Sequence, residues 1–276
     1  MRIWIAVILA VLITDASAAS EPTYPWMTQA PSRTIVDSFA PPAGFVRVST
    51  EPDSFAGWLR HLPLAPVGTP VRFYDGREKP DQSEVAAVID IDVGSADLQQ
   101  CADAIIRLRA EYLFSRGDTE RLAFDFTSGH RYSFQSYARG VTPAVSGANV
   151  TWRSGQHHGL SHDSLRRWLD IVFNYAGTLS LSRELRPVPR LTEAAIGDVL
   201  VHGGTPGHAV LIVDLAVEPA SGRKVALLAQ GFMPAQSVHV LRNPLDPDLS
   251  PWFALADDRP IVMPARLLGP DELRRF

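Results

Sequence analysis

The sequence predicts an α+β domain in which one long helix packs against an antiparallel sheet. Two observations support this class. Between residues 98 and 112 apolar side chains recur at steps of three and four, as on the buried face of a helix. In the last third, four short β-rich runs follow one another with only glycine- and proline-containing turns between them, which is typical of an antiparallel meander. A helix followed by such a meander gives an α+β plan.

The composition fits a globular protein and excludes several classes. The chain has 276 residues, of which 46% are hydrophobic and 20% charged, and its formal net charge is −4. It has no run rich in lysine and arginine, so we expect no nucleic-acid partner. Its single cysteine, Cys101, excludes an internal disulfide.

The first 18 residues have the pattern of a secretory signal peptide. Arg2 precedes an unbroken apolar run of 11 residues, 3–13, and Ala16-Ser17-Ala18 suits signal peptidase. The run is shorter than the roughly 20 residues of a membrane-spanning helix. We therefore expect cleavage after Ala18 and a secreted or periplasmic protein with no stable membrane insertion.

Behind the signal, residues 19–44 are rich in proline and read as an arm that lies over the domain or is left loose. We expect residues 45–276 to form one domain. Its first predicted elements are a short helix at 54–61, which ends before Pro63, and strands at 71–74 and 85–93.

The long helix follows, with Ser95 or Asp97 as its expected N-cap and Cys101 in its first or second turn. Next, alternating aromatic residues around Gly129 predict a hairpin over 122–134, and residues 137–159 read as a loop. Ser161 is the expected cap of a further helix. The meander comprises runs at 198–202, 208–217, 224–230 and 237–241.

Three residues could form a thiol-based catalytic site. A nucleophilic cysteine needs a position near a helix start, a histidine within hydrogen-bond reach and a polar group that orients the histidine. Cys101, His208 and Gln230 are the candidates, because His208 opens one strand of the meander and Gln230 ends the next. The register that would bring His208 beside Gln230 is not readable from sequence. A buried cysteine in ordinary core packing is the competing interpretation.

Four segments resemble the bacterial family called domain of unknown function 4846 (DUF4846). They are QQCADAIIRLRAEYL, YAGTLSLSREL, IGDVLVHGGTPGHAVLIVD and LLAQGFMPAQSVHVLRNP, and the likeness runs from about Phe45 to Phe276. This resemblance implies no activity.

A more distant resemblance implies chemistry. GDVLVHGGTPGHAVLIVD, followed by a strand ending in a polar residue, is similar to the CHAP and NlpC groups of papain-like cysteine amidases and peptidases, which act largely on bacterial cell walls. The resemblance implies a papain-like core with Cys101 as nucleophile, His208 as general base and Gln230 as orienting residue. The side chain of Gln100 would help hold the oxyanion.

The same resemblance leaves two points open. His208 lies 107 positions after Cys101, so residues of about 119–185, with the predicted hairpin and helix, would have to be an insertion. The third member could also be Gly231, Asn243 or Asp214.

The histidines and glycines suggest neither a metal nor a cofactor. His157, His158 and His162 lack a metal-binding motif and read as solvated loop histidines. His239 is expected to be half exposed on its strand. The GGTPG turn at 203–207 runs into a strand and has no lysine, which excludes a phosphate loop.

Aromatic residues around the hairpin offer a possible binding surface. Trp152, Tyr132 and Arg131 could contact sugar rings or carboxylates of a wall polymer, although alternating aromatic residues more often form core. The sequence therefore favours an exported cysteine amidase or peptidase acting on cell-wall peptides. The alternatives are a non-catalytic envelope module that binds peptide or glycan, and a carbohydrate-active enzyme, for which no paired carboxylates are evident.

Overall fold

The computed structural model describes residues 22–263 and 266–276. The predicted signal peptide, residues 1–18, lies outside the described residues. The described helices are α1 Ile35–Ser38, α2 Phe55–Arg60, α3 Cys101–Ser115, α4 Phe134–Ala138, α5 His162–Tyr175 and α6 Thr178–Glu184. The described strands are β1 Val46–Arg47, β2 Val85–Val88, β3 Ala123–Asp125, β4 Arg131–Ser133, β5 Val141–Ser146, β6 Asn149–Ser154, β7 Arg186–Pro187, β8 Val199–His202, β9 His208–Val217, β10 Lys224–Gln230, β11 His239–Leu241, β12 Phe253–Leu255, β13 Ile261–Val262, β14 Leu267–Leu268 and β15 Leu273–Arg275.

A nine-stranded sheet forms the centre of this α+β fold. Its strand order is β2-β11-β10-β9-β8-β15-β7, with β1 pairing β9 and β12 pairing β10. The strands β8 to β11 are antiparallel neighbours in chain order, so the predicted meander is confirmed. The sheet's two outermost positions on the β8 side are taken by β15 and β7, whose sequences gave no strand signal.

The strand β9 lies at the middle of the core. Nine of its ten residues are buried, as expected for an unbroken apolar run covered on both faces. The helices α2 and α3 both contact it. The predicted packing of the long helix on the sheet is therefore confirmed.

The helix α3 begins at Cys101, which lies in its first turn as predicted. Its N-cap is Gln100, not Ser95 or Asp97, because the first helical hydrogen bond runs from the Ala104 amide to the Gln100 carbonyl. More of α3 is buried than its one apolar face, since the charged side chains of Arg107 and Glu111 are also fully buried, where they pair at 2.6 Å.

Residues 119–185 form a layer that contributes no strand to the main sheet. The pairs β3-β4 and β5-β6 are separate two-stranded sheets, and α4 and α5 pack beside them. The hairpin β3-β4 and the Ser161 cap of α5 were predicted correctly. The predicted loop over 137–159 was wrong, because β5 and β6 pair there; they bury few side chains and so lack an apolar alternation.

The N-terminal part of the described chain adds to the core. The helix α2 agrees with the predicted helix at 54–61, whereas 71–74 makes only isolated bridges and β2 is shorter than predicted. Tyr24 and Ile35, within the proline-rich stretch, are buried in the main core cluster. Over 22–263 and 266–276, no helix combines the length and the apolar character needed to cross a membrane.

Candidate functional site

A cleft of about 400 Å³ opens at the N-terminus of α3. Cys101 and Gln100 lie at its helix side, and the glycine turn between β8 and β9 faces them together with the start of α6. The described lining residues are Asp97, Leu98, Gln100, Cys101, Ala102, Asp103, Thr127, Phe173, Asn174, Ala176, Gly177, Thr178, Leu179, Gly204, Thr205, Pro206, Gly207 and Met233. The only cysteine of the chain therefore borders a cavity large enough for a peptide side chain.

Cys101 is the first residue of α3 and is only 6% exposed. Burial raises the pKa of its thiol, while the backbone N–H groups of Ala209 and Ala102 oppose that rise. Cys101 and Gly207, the residue before β9, line the same cleft, so the thiol lies near the start of this strand. The thiol is therefore protonated near neutral pH and needs a base to become a nucleophile.

A base lies one residue from Ala209. His208 opens β9 and Gln230 ends β10, and both are almost completely buried. The Ala229–Leu211 register sets Gln230 diagonally across from His208, and the ring Nε2 lies 2.8 Å from the Gln230 Oε1. The register that the sequence left open thus brings these two candidates together.

Burial lowers the pKa of His208, and the Gln230 bond acts in the opposite direction. The ring is therefore neutral near pH 7. Its Nδ1 has no hydrogen-bond partner among the described residues, and none joins the ring to the Cys101 thiol there. The site thus holds a neutral thiol and a neutral imidazole, which suit general-base activation rather than a preformed ion pair.

Two glycines let the backbone close around the cleft. A Cβ at Gly231 would lie 2.9 Å from the Gln100 carbonyl oxygen, and one at Gly207 would overlap the Thr178 hydroxyl. Any larger residue would push β10 from α3 or the glycine turn from α6. The sequence indicated Gly207 only as part of the GGTPG turn and Gly231 only as an alternative third member, and neither as a close-packing position.

Gln100, the predicted oxyanion donor, lines the cleft and is partly committed elsewhere. Its side-chain amide donates to the Asp97 Oδ1 at 3.1 Å, and the same oxygen accepts the Ala235 N–H at 2.6 Å. One side-chain N–H of Gln100 remains for a ligand.

Asp103 is a cleft residue that the sequence reasoning missed. Its Oδ2 accepts the Gln100 backbone N–H at 3.1 Å, and its buried Oδ1 has no partner among the described residues. Burial raises the pKa of this carboxyl to about 8. An acidic residue three positions after a helix cap is a readable signal, but its burial is not.

His239 was predicted to be half exposed, and this was wrong. It is fully buried, because β11 is an internal strand between β2 and β10. Its Nδ1 lies 2.9 Å from the Ser237 carbonyl oxygen and its Nε2 lies 3.4 Å from the Gln230 Nε2.

The other candidates for the third member lie in different environments. Asp214 is fully buried in ion pairs with Arg47 and Arg60. The Asn243 side chain donates to the Trp252 carbonyl. Only Gln230 of these polar side chains bonds His208 among the described residues.

The predicted substrate-binding residues do not line the cleft. Tyr132 is buried in the core and donates to the Val141 carbonyl at 2.7 Å. Trp152 is 42% exposed and packs against the Tyr132 ring. Arg131 pairs with Asp125 and Glu184. The aromatic alternation thus belongs mainly to the core of the 119–185 layer.

The remaining histidines do not gather into a metal site. Over the described residues, no group of three or more His, Cys, Asp or Glu side chains is arranged to hold a metal ion. His162 lies 2.9 Å from both Glu111 oxygens, and His158 stacks on Tyr137.

Comparison with known proteins identifies the family and no more. No curated protein matches the chain, and no solved structure matches it. The papain-like core and the CHAP and NlpC likeness therefore have no support beyond the sequence pattern. The family model described as "Domain of unknown function (4846)" matches residues 35–275. The chain belongs to this family.

Proposed function

We propose that the protein is an exported hydrolase that uses Cys101 to cleave amide bonds in cell-wall peptides. The observation that carries the proposal is the 2.8 Å bond between His208 Nε2 and Gln230 Oε1, directly after Gly207, which lines the same cleft as Cys101. The cleft gives a substrate access to Cys101, and Gly207, the neighbour of His208 in the chain, forms part of its lining. Export and a wall substrate rest on residues 1–18 and on the CHAP and NlpC resemblance.

The chemistry follows from the protonation states. His208 Nδ1 takes the thiol proton as the sulfur bonds to the amide carbonyl carbon, and the carbonyl oxygen becomes an oxyanion. Backbone N–H groups at the start of α3, which lack partners within the helix, and the remaining Gln100 N–H stabilise it.

The carbon–nitrogen bond then breaks, and the imidazolium returns its proton to the leaving amine. Water attacks the thioester with His208 again as base, which releases the acid and restores the thiol. Gln230 accepts a hydrogen bond from Nε2 throughout, so it orients the ring and stabilises its charged form.

A second candidate is a non-catalytic envelope module that binds peptide or glycan. The observation that favours it is the burial of Cys101, which raises the pKa of the thiol instead of lowering it. In that function the His208–Gln230 pair would be a satisfied polar contact of the core.

Hydrolysis of wall peptides separates the two functions. The chain from Ala19 onward is incubated with purified bacterial wall peptides, and new amino groups and fragment masses are measured. We expect release by the wild type and at least about a hundredfold loss in Cys101→Ala and His208→Gln. His61→Gln, a histidine whose ring bonds the Gly57 carbonyl outside the cleft, serves as the matched control.

Labelling of the thiol decides the remaining case. If the wild type releases nothing, and iodoacetamide leaves Cys101 unmodified while near-UV circular dichroism shows a folded protein, the hydrolase proposal is wrong. Release that persists in Cys101→Ala would equally remove Cys101 from the mechanism.

A further inference from the structure

A buried chain of polar contacts runs from the backbone of β11 to His208. His239 Nδ1 lies 2.9 Å from the Ser237 carbonyl oxygen, His239 Nε2 lies 3.4 Å from Gln230 Nε2, and Gln230 Oε1 lies 2.8 Å from His208 Nε2. All three side chains are at most 4% exposed. Because water does not reach these side chains, each contact needs one atom that donates a proton and one that accepts it.

The donors follow in order from the carbonyl. A carbonyl oxygen only accepts, so His239 Nδ1 carries the proton and donates to Ser237. Burial lowers the pKa of His239, which keeps the ring neutral and leaves Nε2 as an acceptor. Gln230 must then donate from Nε2 to His239, which turns its Oε1 toward His208.

The last step fixes the proton on His208. Because the Gln230 Oε1 only accepts, His208 Nε2 must be the protonated nitrogen, and the lone pair of the neutral ring lies on Nδ1. A flipped Gln230 amide would set its oxygen against the His239 lone pair and its N–H₂ against His208, so the chain of contacts disfavours it.

We propose that His239 is a positioning residue: through Gln230 it holds His208 in the tautomer whose Nδ1 bears the lone pair. This inference rests on the proposed function, in which that nitrogen takes the Cys101 proton. His239 is not among the described residues that line the cleft, and its link to His208 runs through the Gln230 amide.

Nitrogen NMR of the histidine rings tests the inference without any substrate. In the ¹⁵N-histidine-labelled chain from Ala19 onward, we expect His208 to show a protonated Nε2 and an unprotonated Nδ1. His239→Leu removes the acceptor for Gln230, and we expect the ratio of the two tautomers to fall about two- to tenfold, the factor for one neutral hydrogen bond. His239→Gln presents an acceptor oxygen at a similar reach and should keep the wild-type ratio.

The outcomes are distinct from those of the hydrolysis test. A wild-type His208 protonated on Nδ1, or a tautomer ratio unchanged in folded His239→Leu, overturns the inference. If His239→Leu does not fold, the wild-type spectrum and two other variants decide. The inference then requires a changed tautomer ratio in Gln230→Leu and an unchanged ratio in His239→Gln. Expected tautomers in a folded protein that neither cleaves wall peptides nor reacts with iodoacetamide at Cys101 would support the polar chain and refute the hydrolase.

Discussion

Replacing Asp103 by asparagine tests the electrostatics of the cleft through protein stability. Burial raises the pKa of this carboxyl from 3.8 to about 8, so the folded protein keeps a proton that the unfolded chain loses. An acid whose pKa is higher in the folded protein than in the unfolded chain stabilises the fold. This contribution is fully present at pH values below the pKa of the unfolded chain. That contribution is lost progressively as pH rises from about 4 toward 8.

The size of the effect follows from the linkage relation. One extra proton in the folded state lowers the free energy of unfolding by about 1.4 kcal/mol per pH unit, or about 3 kcal/mol between pH 5 and pH 7. The positive end of the α3 dipole favours the ionised carboxylate, so we expect a slope somewhat below this limit. Asparagine cannot ionise, so Asp103→Asn lacks the slope.

Urea unfolding at pH 5, 6 and 7 measures this dependence of the unfolding free energy on pH. We expect the difference in unfolding free energy between variant and wild type to move in favour of the variant by about 2–3 kcal/mol over this range. Asp163→Asn is the matched control, because Asp163 is an exposed acid in the first turn of α5 and its difference should stay flat. A flat difference for Asp103→Asn as well would refute the buried, protonated carboxyl.

The same variant affects the thiol. Ionised Asp103 raises the pKa of Cys101, so replacing it should speed alkylation by iodoacetamide only above about pH 8, where the wild-type carboxyl is charged. Equal rates for the two proteins across pH 7–9 would show that the carboxyl and the thiol do not interact.

Three further outcomes are expected. Gly207→Ala places a Cβ 2.5 Å from a backbone oxygen of the glycine turn, so it should lower the free energy of unfolding in denaturant by about 1–3 kcal/mol. Gly155→Ala, whose Cβ would have its nearest atom at 3.6 Å, should lower it little. Equal losses in the two variants would contradict the close packing at Gly207. Arg107→Met leaves the Glu111 carboxylate buried without its guanidinium partner and should lower the free energy of unfolding by about 3–5 kcal/mol. Adding Glu111→Leu should restore much of this loss. A double variant no more stable than Arg107→Met alone would contradict this reasoning. Trp152→Ala should leave the alkylation rate of the cleft thiol unchanged, and a change above about twofold would show that this side chain reaches the cleft.

Much of the candidate site could be predicted from the sequence alone. The position of Cys101 at a helix start follows from the apolar spacing of α3, and the ends of β9 and β10 follow from glycine turns that bound β-rich runs. These are local signals, set by backbone preferences and by the period of buried side chains. The cap of α3 was misplaced because glutamine is not among the preferred N-cap residues; the signal that marks this cap is Asp103 three positions later, whose side chain accepts the Gln100 backbone N–H.

Burial and register were not readable in the same way. A polar strand residue such as His239 has the same one-letter pattern whether its strand lies at an edge or inside a sheet, and β11 became internal only when β2 paired with it. Likewise, the separate hairpin β5-β6 buries too little apolar surface to leave an alternation in the sequence.

The sequence by itself determined the α+β class, the meander and the residue types available for chemistry, because these depend on neighbours within a few positions along the chain. Tertiary structure alone decided that His208 meets Gln230, that Asp103 and His239 lose contact with water, and that the aromatic hairpin faces inward. Each of these depends on which distant segments pack together, and that choice is made by burial and pairing over the whole sheet.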